Sequence, residues 1–189
     1  MNITERKAEL RSKIRAARRA LSPAEREEAA LRTAGRLMEI SGLVNAEYVL
    51  AYMPMKYELD ILPTVEILKA RGVKVVFPLC IENGGLRLFV PAEKNGFRPG
   101  AYGISEPDPE TAEEITADRL GAILLPAIGF DREGRRLGQG GGYYDRLLAR
   151  TDCLKIAVGF DCQLVDNVPT EETDERVDIV VVPGETIVL

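Results

Sequence analysis

Histidine is absent from this 189-residue sequence. That absence removes the side chain that ordinarily titrates near neutral pH, the commonest transition-metal ligand, and any Ser-His or Cys-His nucleophile pair. Chemistry in this chain must rest on carboxylates, Lys, Arg, Tyr, backbone dipoles or a hard cation held by oxygen. The restriction favours phosphoryl chemistry, which needs positioning and charge neutralisation more than a tuned proton shuttle. Cysteine is scarce as well. Cys80, Cys153 and Cys162 are odd in number, far apart and without Cys-x-x-Cys spacing, so neither a disulfide framework nor a zinc site is indicated and a reducing compartment fits. No apolar stretch approaches the roughly 18 residues of a membrane span, and the N-terminus is charged and helical in pattern rather than signal-like. A soluble cytoplasmic protein is expected, without a membrane partner.

Basic residues do not dominate. The net charge of −5 and a pI near 5.0 argue against a general nucleic-acid binder. With 46% hydrophobic residues the chain is long enough for one domain, residues 1–189, that buries roughly 70% of its unfolded surface.

Periodicity divides the chain into elements. Leu10, Ile14, Ala17 and Leu21 mark an apolar stripe on a first helix ending near Ser22. Ser22-Pro23-Ala24-Glu25 reads as an N-cap with Pro at the first helical position and a capping box, opening a second helix to about Met38 or Ile40. Strands are predicted over Tyr48–Met53, Val73–Leu79, Leu86–Val90, Ala122–Leu125, Ile156–Phe160 and Ile179–Val182. Helices are predicted over Ile61–Arg71, capped by Asp60 and stopped by Gly72, and over Gly141–Arg150. The Pro- and Gly-rich stretch Pro91–Pro109 reads as a long surface loop, with Gly100–Pro107 bordering a cleft. Near-continuous apolar runs such as Val73-Lys74-Val75-Val76-Phe77 indicate strands covered on both faces, hence a three-layer α/β domain.

Gly138-Gln139-Gly140-Gly141-Gly142-Tyr143-Tyr144-Asp145 is the most informative stretch. Glycines clustered at a helix entrance are entropically expensive unless the backbone must approach a ligand, and bare N–H groups there suit a phosphate. The motif is neither a Walker loop, which ends in Gly-Lys-Ser/Thr, nor a dinucleotide loop, which needs a third Gly where Tyr143 stands. A tight strand-to-helix turn without a ligand is the competing reading. Arg135, Arg136 and Asp145 favour an anion with its metal. Lys7, Arg11, Arg15 and Arg18 recur at helical spacing and form one basic stripe. It reads either as an exposed, salt-bridged helix relieved by Glu5 and Glu9, or as a surface facing an anion at the glycine turn. Arg132 and Arg135 are expected to face solvent.

The run from Pro126 through Gly129-Phe130-Asp131-Arg132-Glu133-Gly134-Arg135-Arg136-Leu137 to the glycines and Tyr143-Tyr144-Asp145 resembles the signature of the 5-formyltetrahydrofolate cyclo-ligase family, also called methenyltetrahydrofolate synthetases. Lys7-x-x-Leu10-Arg11, Glu58-Leu59-Asp60 and Gln163–Asp178 extend the resemblance almost from end to end. It implies a mixed, mostly parallel, Rossmann-like sheet and a monomer. It also implies ATP- and Mg²⁺-dependent closure of 5-formyltetrahydrofolate, with or without a polyglutamate tail, to 5,10-methenyltetrahydrofolate with release of ADP and phosphate.

Residue by residue, the resemblance assigns Lys7 and Arg136 to catalysis. Lys7, Arg11, Arg136, Leu137, Gly138, Gln139, Gly140, Gly141, Gly142, Tyr143 and Tyr144 would hold ATP, with Arg15 a further candidate. Met53, Glu58, Gln139, Gly140, Gly141, Gly142 and Tyr143 would hold the folate, and Asp145 and Asp174 the Mg²⁺. Against these stand blander readings: Glu58 as a helix-entry acid, Asp174 as a solvated loop acid, and the tyrosines as core. Gln139 departs from the basic or aromatic residue often found among these glycines, Gly141 lacks the Lys of some relatives, and Thr173 replaces a His frequent before the second acidic position. These departures leave room for a folate- or nucleotide-binding regulator with weakened turnover. An RNA-binding arm at Arg6–Arg19 is disfavoured by the acidic whole.

Overall fold

The computed structural model describes residues 2–100, 103–171 and 174–189. Thr173, noted above, lies outside the described residues, as do Ala101 and Tyr102 of the segment expected to border a cleft. Helix α1 (Ile3–Ala20) begins at a capping box formed by Asn2 and Glu5, and α2 (Pro23–Leu37) at the expected box of Ser22 and Glu25. The four-residue α3 (Ser41–Val44) leads into β1 (Tyr48–Leu50), shorter than expected because the chain leaves the sheet after Leu50. Helix α4 (Leu62–Ala70) starts where Asp60 Oδ1 accepts the Leu62 N–H and ends at Gly72, whose φ of 85° a side chain would resist. Next come β2 (Lys74–Cys80) and β3 (Leu86–Val90).

The stretch Pro91–Pro109, read as a long surface loop, holds a hairpin, β4 (Phe97–Pro99) and β5 (Ser105–Pro107), and is followed by β6 (Glu113–Ile115). Three-residue strands rich in Pro and Glu carry no alternating apolar signal, which is why periodicity passes over them. Beyond β7 (Ala122–Pro126), a second hairpin of two-residue strands, β8 (Gly129–Phe130) and β9 (Arg136–Leu137), precedes the glycines. Helix α5 is only Tyr143–Leu148, with Gly142 left-handed at its N-cap, so the glycines form a turn outside the helix rather than its first turn. The chain closes with β10 (Leu154–Val158), β11 (Ile179–Val181) and an unforeseen antiparallel edge strand, β12 (Thr186–Val188).

The main sheet runs β12-β11-β10-β7-β1-β2-β3-β6. Its centre, β11 to β2, is parallel, and both flanks are antiparallel. This is the expected mixed, mostly parallel α/β sheet. Alternate strand residues feed two cores: Val49, Val75, Leu124, Ile156 and Val181 meet Leu37 of α2 and Val65 and Leu68 of α4, while Leu50, Val76, Ile123, Ala157 and Val180 meet Leu147 and Leu148 of α5. The period-two alternation of β side chains generates the three layers.

Helix α1 belongs to neither core. Ile14 is buried with Ile128, Leu137 and Val168, and α1 lies so close to β8 that a side chain at Gly129 would collide with Ile14. The buried face of α1 carries Lys7, Ile14 and Arg18, with half-buried Arg11 between them. Leu10, Ala17 and Leu21 of the expected apolar stripe are only half buried. Thus Lys7, Arg11 and Arg18 of the basic stripe turn inward beside Ile14, while Arg15 stays exposed.

Candidate active site

The inward turn of α1 brings its cations onto the glycine bend. Arg11 Nε donates to the Gly138 carbonyl at 2.9 Å, and Arg15 Nη2 to Gln139 Oε1 at 2.7 Å. Gln139 Nε2 in turn reaches Glu58 Oε1 at 3.4 Å, so this departure from the family pattern ties α1 to the loop after β1. Glu58 Oε2 also accepts the Met55 N–H at 3.1 Å. Lys7 Nζ binds Glu171 at 2.8 Å and Asp174 at 2.7 Å. Burial alone would lower the Lys7 pKa, but its hydrogen bonds to Asp174 and Glu171 outweigh it and hold the ammonium above its ordinary value. Burial likewise opposes ionisation of Asp174, yet the bond from Lys7 keeps its pKa low. Burial and then Arg15 lower Arg11.

Arg136 leaves β9 beneath the bend. Its Nη2 donates to Asp145 Oδ1 at 2.6 Å, its side chain is 3% exposed, and its buried Nε has no partner. The bend itself depends on glycine: Gly140 has φ 107° and Gly142 φ 65°, both in the left-handed range. Arg146 clips the bend to the turn before β3, donating to the carbonyls of Gly141 at 2.8 Å and Gly84 at 2.7 Å.

Two cavities adjoin this structure. A largely apolar one of about 190 Å³ is lined by Met53, Glu58, Tyr143 and Tyr144 together with Gln139 and Gly141. Ile104, Ser105 and Glu106 of the β4–β5 hairpin line it too, within the segment expected to border a cleft, whereas sequence reading missed Tyr52, just beyond β1, and Phe77 and Cys80 of β2. Tyr52 is locked by a 3.0 Å bond from its hydroxyl to the Leu59 carbonyl, and burial pushes the hydroxyl pKa of both Tyr52 and Tyr144 up, so both stay neutral. A polar cavity of about 590 Å³ is lined by Lys7, Arg11, Leu137, Asp174 and the unforeseen Thr4, Glu171 and Arg146. Arg136, Gly138, Gly140, Gly142 and Asp145 line both. Lys7, Arg11, Met53, Glu58, Asp174 and the run from Arg136 to Asp145 therefore each border one cavity or the other, whereas Arg15 borders neither and reaches the bend only through Gln139. Among the described residues no group of three or more His, Cys, Asp or Glu side chains is placed to hold a metal ion by itself.

The same arrangement of signature and fold recurs in known proteins. A family model described as 5-formyltetrahydrofolate cyclo-ligase matches residues 3–183. The chain belongs to this family. As a member of the cyclo-ligase family it is an enzyme of the ligase class, and it is 32% identical over 177 residues to the Escherichia coli (strain K12) 5-formyltetrahydrofolate cyclo-ligase, covering 91% of this chain and 97% of that one. It is 33% identical over 190 residues to the Mycolicibacterium smegmatis cyclo-ligase, covering 96% of each. The solved structure of Aquifex aeolicus 5,10-methenyltetrahydrofolate synthetase superposes with a TM-score of 0.86 at 31% identity, over 97% of this chain and 92% of that one.

Other residues of the cyclo-ligase signature serve the fold. Asp131 is fully buried and accepts the N–H groups of Glu133, Arg135 and Val168 and the Arg135 guanidinium at 2.6 Å. Arg135 thus braces the β8–β9 turn instead of facing solvent, whereas Arg132 is exposed as expected, paired with Glu185. Gln163 is buried, donating to the Ala127 and Ile128 carbonyls under the apolar cavity. Of the three cysteines, all free, Cys80 is exposed and the others half-buried, and among the described residues no helix is long and apolar enough to cross a membrane.

Proposed function

We propose that this chain acts as one catalytic domain, residues 1–189, that closes 5-formyltetrahydrofolate to 5,10-methenyltetrahydrofolate with conversion of ATP to ADP and phosphate. The reading is carried by one observation: an apolar cavity and a cation-lined polar cavity share Arg136, Gly138, Gly140, Gly142 and Asp145 as a common wall. A flat heterocycle on one side of that wall and a triphosphate on the other would meet across it.

The residues present fit both guests. Lys7, Arg11 and Arg136 supply positive charge, the orphaned Arg136 Nε marks a donor not yet satisfied, and the glycine bend lets a phosphate approach the backbone. Asp145 and Asp174 offer hard oxygen ligands in the same cavity, two carboxylates being what Mg²⁺ takes when substrate phosphates and waters complete its shell. Bound there, Mg²⁺ would screen charge on the transferring phosphoryl group. Glu58 accepts the adjacent ring N–H and amino donors of the pterin, with Met53 and Tyr143 against its faces.

Chemically, the formyl group on N5 is an amide whose oxygen leaves poorly. The formyl oxygen takes the γ-phosphoryl group, N10 adds to the activated carbon, and phosphate then departs to leave the methenyl bridge. Each donor aimed at the phosphoryl oxygens contributes about 2.7–4 kcal/mol if it behaves as a single oxyanion-hole donor. Holding N10 beside the formyl carbon is worth roughly 7–11 kcal/mol. The enzyme works as a cytoplasmic monomer, on substrate with or without a polyglutamate tail.

The test is to mix the purified protein with 5-formyltetrahydrofolate, ATP and Mg²⁺ and follow the methenyl chromophore. Its appearance, dependent on ATP and on the metal, is expected. Binding of both ligands without chromophore would instead favour a regulator that has lost turnover.

A further inference from the structure

Ring closure as proposed above releases the proton on N10, and a chain with no histidine must pass it to another acceptor. Three carboxylates line the apolar cavity: Glu58, Asp145 and Glu106. Asp145 is engaged by Arg136 at 2.6 Å and is assigned to the metal. Glu58 already accepts the Met55 N–H and meets Gln139, and it is assigned to the pterin edge. Glu106 differs from both. Among the described residues no hydrogen bond or ion pair engages its carboxylate, and Arg98, directly across the β4–β5 hairpin, pairs at 3.8 Å with Asp108 instead.

Its placement is built into the hairpin. A side chain at Gly100 would collide with the Glu106 carboxylate, so glycine there lets Glu106 fold back over the backbone. Phe97 of the same hairpin stacks edge-on against Phe77 of β2, with ring centroids 5.2 Å apart, which fixes β5 along the cavity. Cys80 of β2 and Glu106 of β5 line the same cavity. An apolar pocket holding a carboxylate with no partner among the described residues is suited to accept a proton from a bound substrate.

We infer that Glu106 is the general base of ring closure, accepting the N10 proton as N10 bonds to the formyl carbon. The inference rests on the function proposed above. As the N10–C bond forms, the N10–H pair becomes the nitrogen lone pair and the proton moves to a Glu106 oxygen. The C–O bond to the phosphoryl group then breaks and phosphate leaves with its electron pair. Glu106 afterwards returns the proton to solvent, and no oxidant or reductant is needed.

Phosphoryl transfer precedes the step that uses Glu106, so the two can be timed separately. In a single turnover with enzyme in excess over 5-formyltetrahydrofolate, ADP and the methenyl chromophore are followed together. For Glu106→Gln, ADP formation within about twofold of wild type and methenyl formation slowed about 100-fold are expected. Glu106→Asp, which keeps an acceptor but draws it back by one methylene, slows the same step by less, and carries the test alone should the amide variant not fold. Both rates unchanged, or both slowed together, in the folded variant overturns the assignment of Glu106. Wild-type enzyme that yields neither ADP nor chromophore overturns the underlying function itself.

Discussion

Arg136 Nη2 and Asp145 Oδ1 stand 2.6 Å apart in the wall common to both cavities, one side chain 3% and the other 32% exposed. Each neutralises the other. Under the proposed function, a polyphosphate with its metal would offer both a new partner, anionic oxygens for Arg136 and a cation for Asp145, and would split the pair.

Replacing either member should therefore cost turnover. For Arg136→Ala and for Asp145→Ala, kcat is expected to fall about 10²–10³-fold, the loss typical of one donor aimed at developing charge. Both variants stay folded by circular dichroism with a lowered melting temperature, because the surviving charge is left unpaired in a half-dry wall. Full turnover in either purified variant contradicts the assignment.

The bend can be tested apart from its charges. Gly140 and Gly142 have φ of 107° and 65°, and an added Cβ at Gly142 would also stand 2.8 Å from Arg146 Nη1, whereas at Gly140 the nearest atom is 3.7 Å away. Gly140→Ala should thus cost backbone strain alone, about 1–3 kcal/mol, and Gly142→Ala more, since Arg146 must move. Urea unfolding should rank the two in that order, and the KM for ATP should rise in both. Equal stability of both variants to wild type would reject the strain.

Asp131 provides the opposite control. It belongs to the signature yet is fully buried and satisfied by three N–H groups and Arg135, remote in role from either cavity. Asp131→Ala takes the acceptor from three N–H groups and leaves Arg135 only the exposed Glu133 as a partner, and should destabilise the protein by about 3–5 kcal/mol. The fraction that remains folded at low temperature should keep its kcat within about threefold. A collapse of kcat at full stability would move Asp131 into the chemistry.

Lys7 and Asp174 set a pH window. The Lys7 pKa lies above its ordinary 10.5 and that of Asp174 below its ordinary 3.8. The Lys7 contribution to stability is complete below pH 10.5 and fades as pH rises through the raised folded value. That of Asp174 is complete above pH 3.8 and fades as pH falls through the depressed one. The stability difference between wild type and Lys7→Met should accordingly be flat from about pH 5 to pH 9 and shrink toward both extremes. Urea midpoints across that range check it, and a slope between pH 6 and pH 8 would show that another group governs the difference.

Much of the fold was legible because its signals are local. The capping box of Ser22 and Glu25, the glycine stop at Gly72, and apolar runs such as Val75-Val76-Phe77 depend on neighbours within a few residues. The same holds for the glycine bend, whose backbone demand is written in Gly140 and Gly142 themselves. The strands β4, β5, β8, β9 and β12 are two or three residues long and owe their existence to partners elsewhere in the chain, so no periodicity announces them.

Sequence alone determined the layered α/β architecture, the glycine bend and the stock of charged groups available to a protein without histidine. Tertiary structure decided which charges meet: that α1 turns Lys7, Arg11 and Arg18 inward around Ile14, that Asp131 engages Arg135 while Arg136 is left for the cavities, and that Glu106 lines an apolar pocket without a partner among the described residues. Secondary structure follows from short-range sterics and hydrogen bonding. Ion pairing and cavity shape depend on distances of a few ångströms between residues more than a hundred positions apart, as Arg11 and Gly138 are, and only packing sets those.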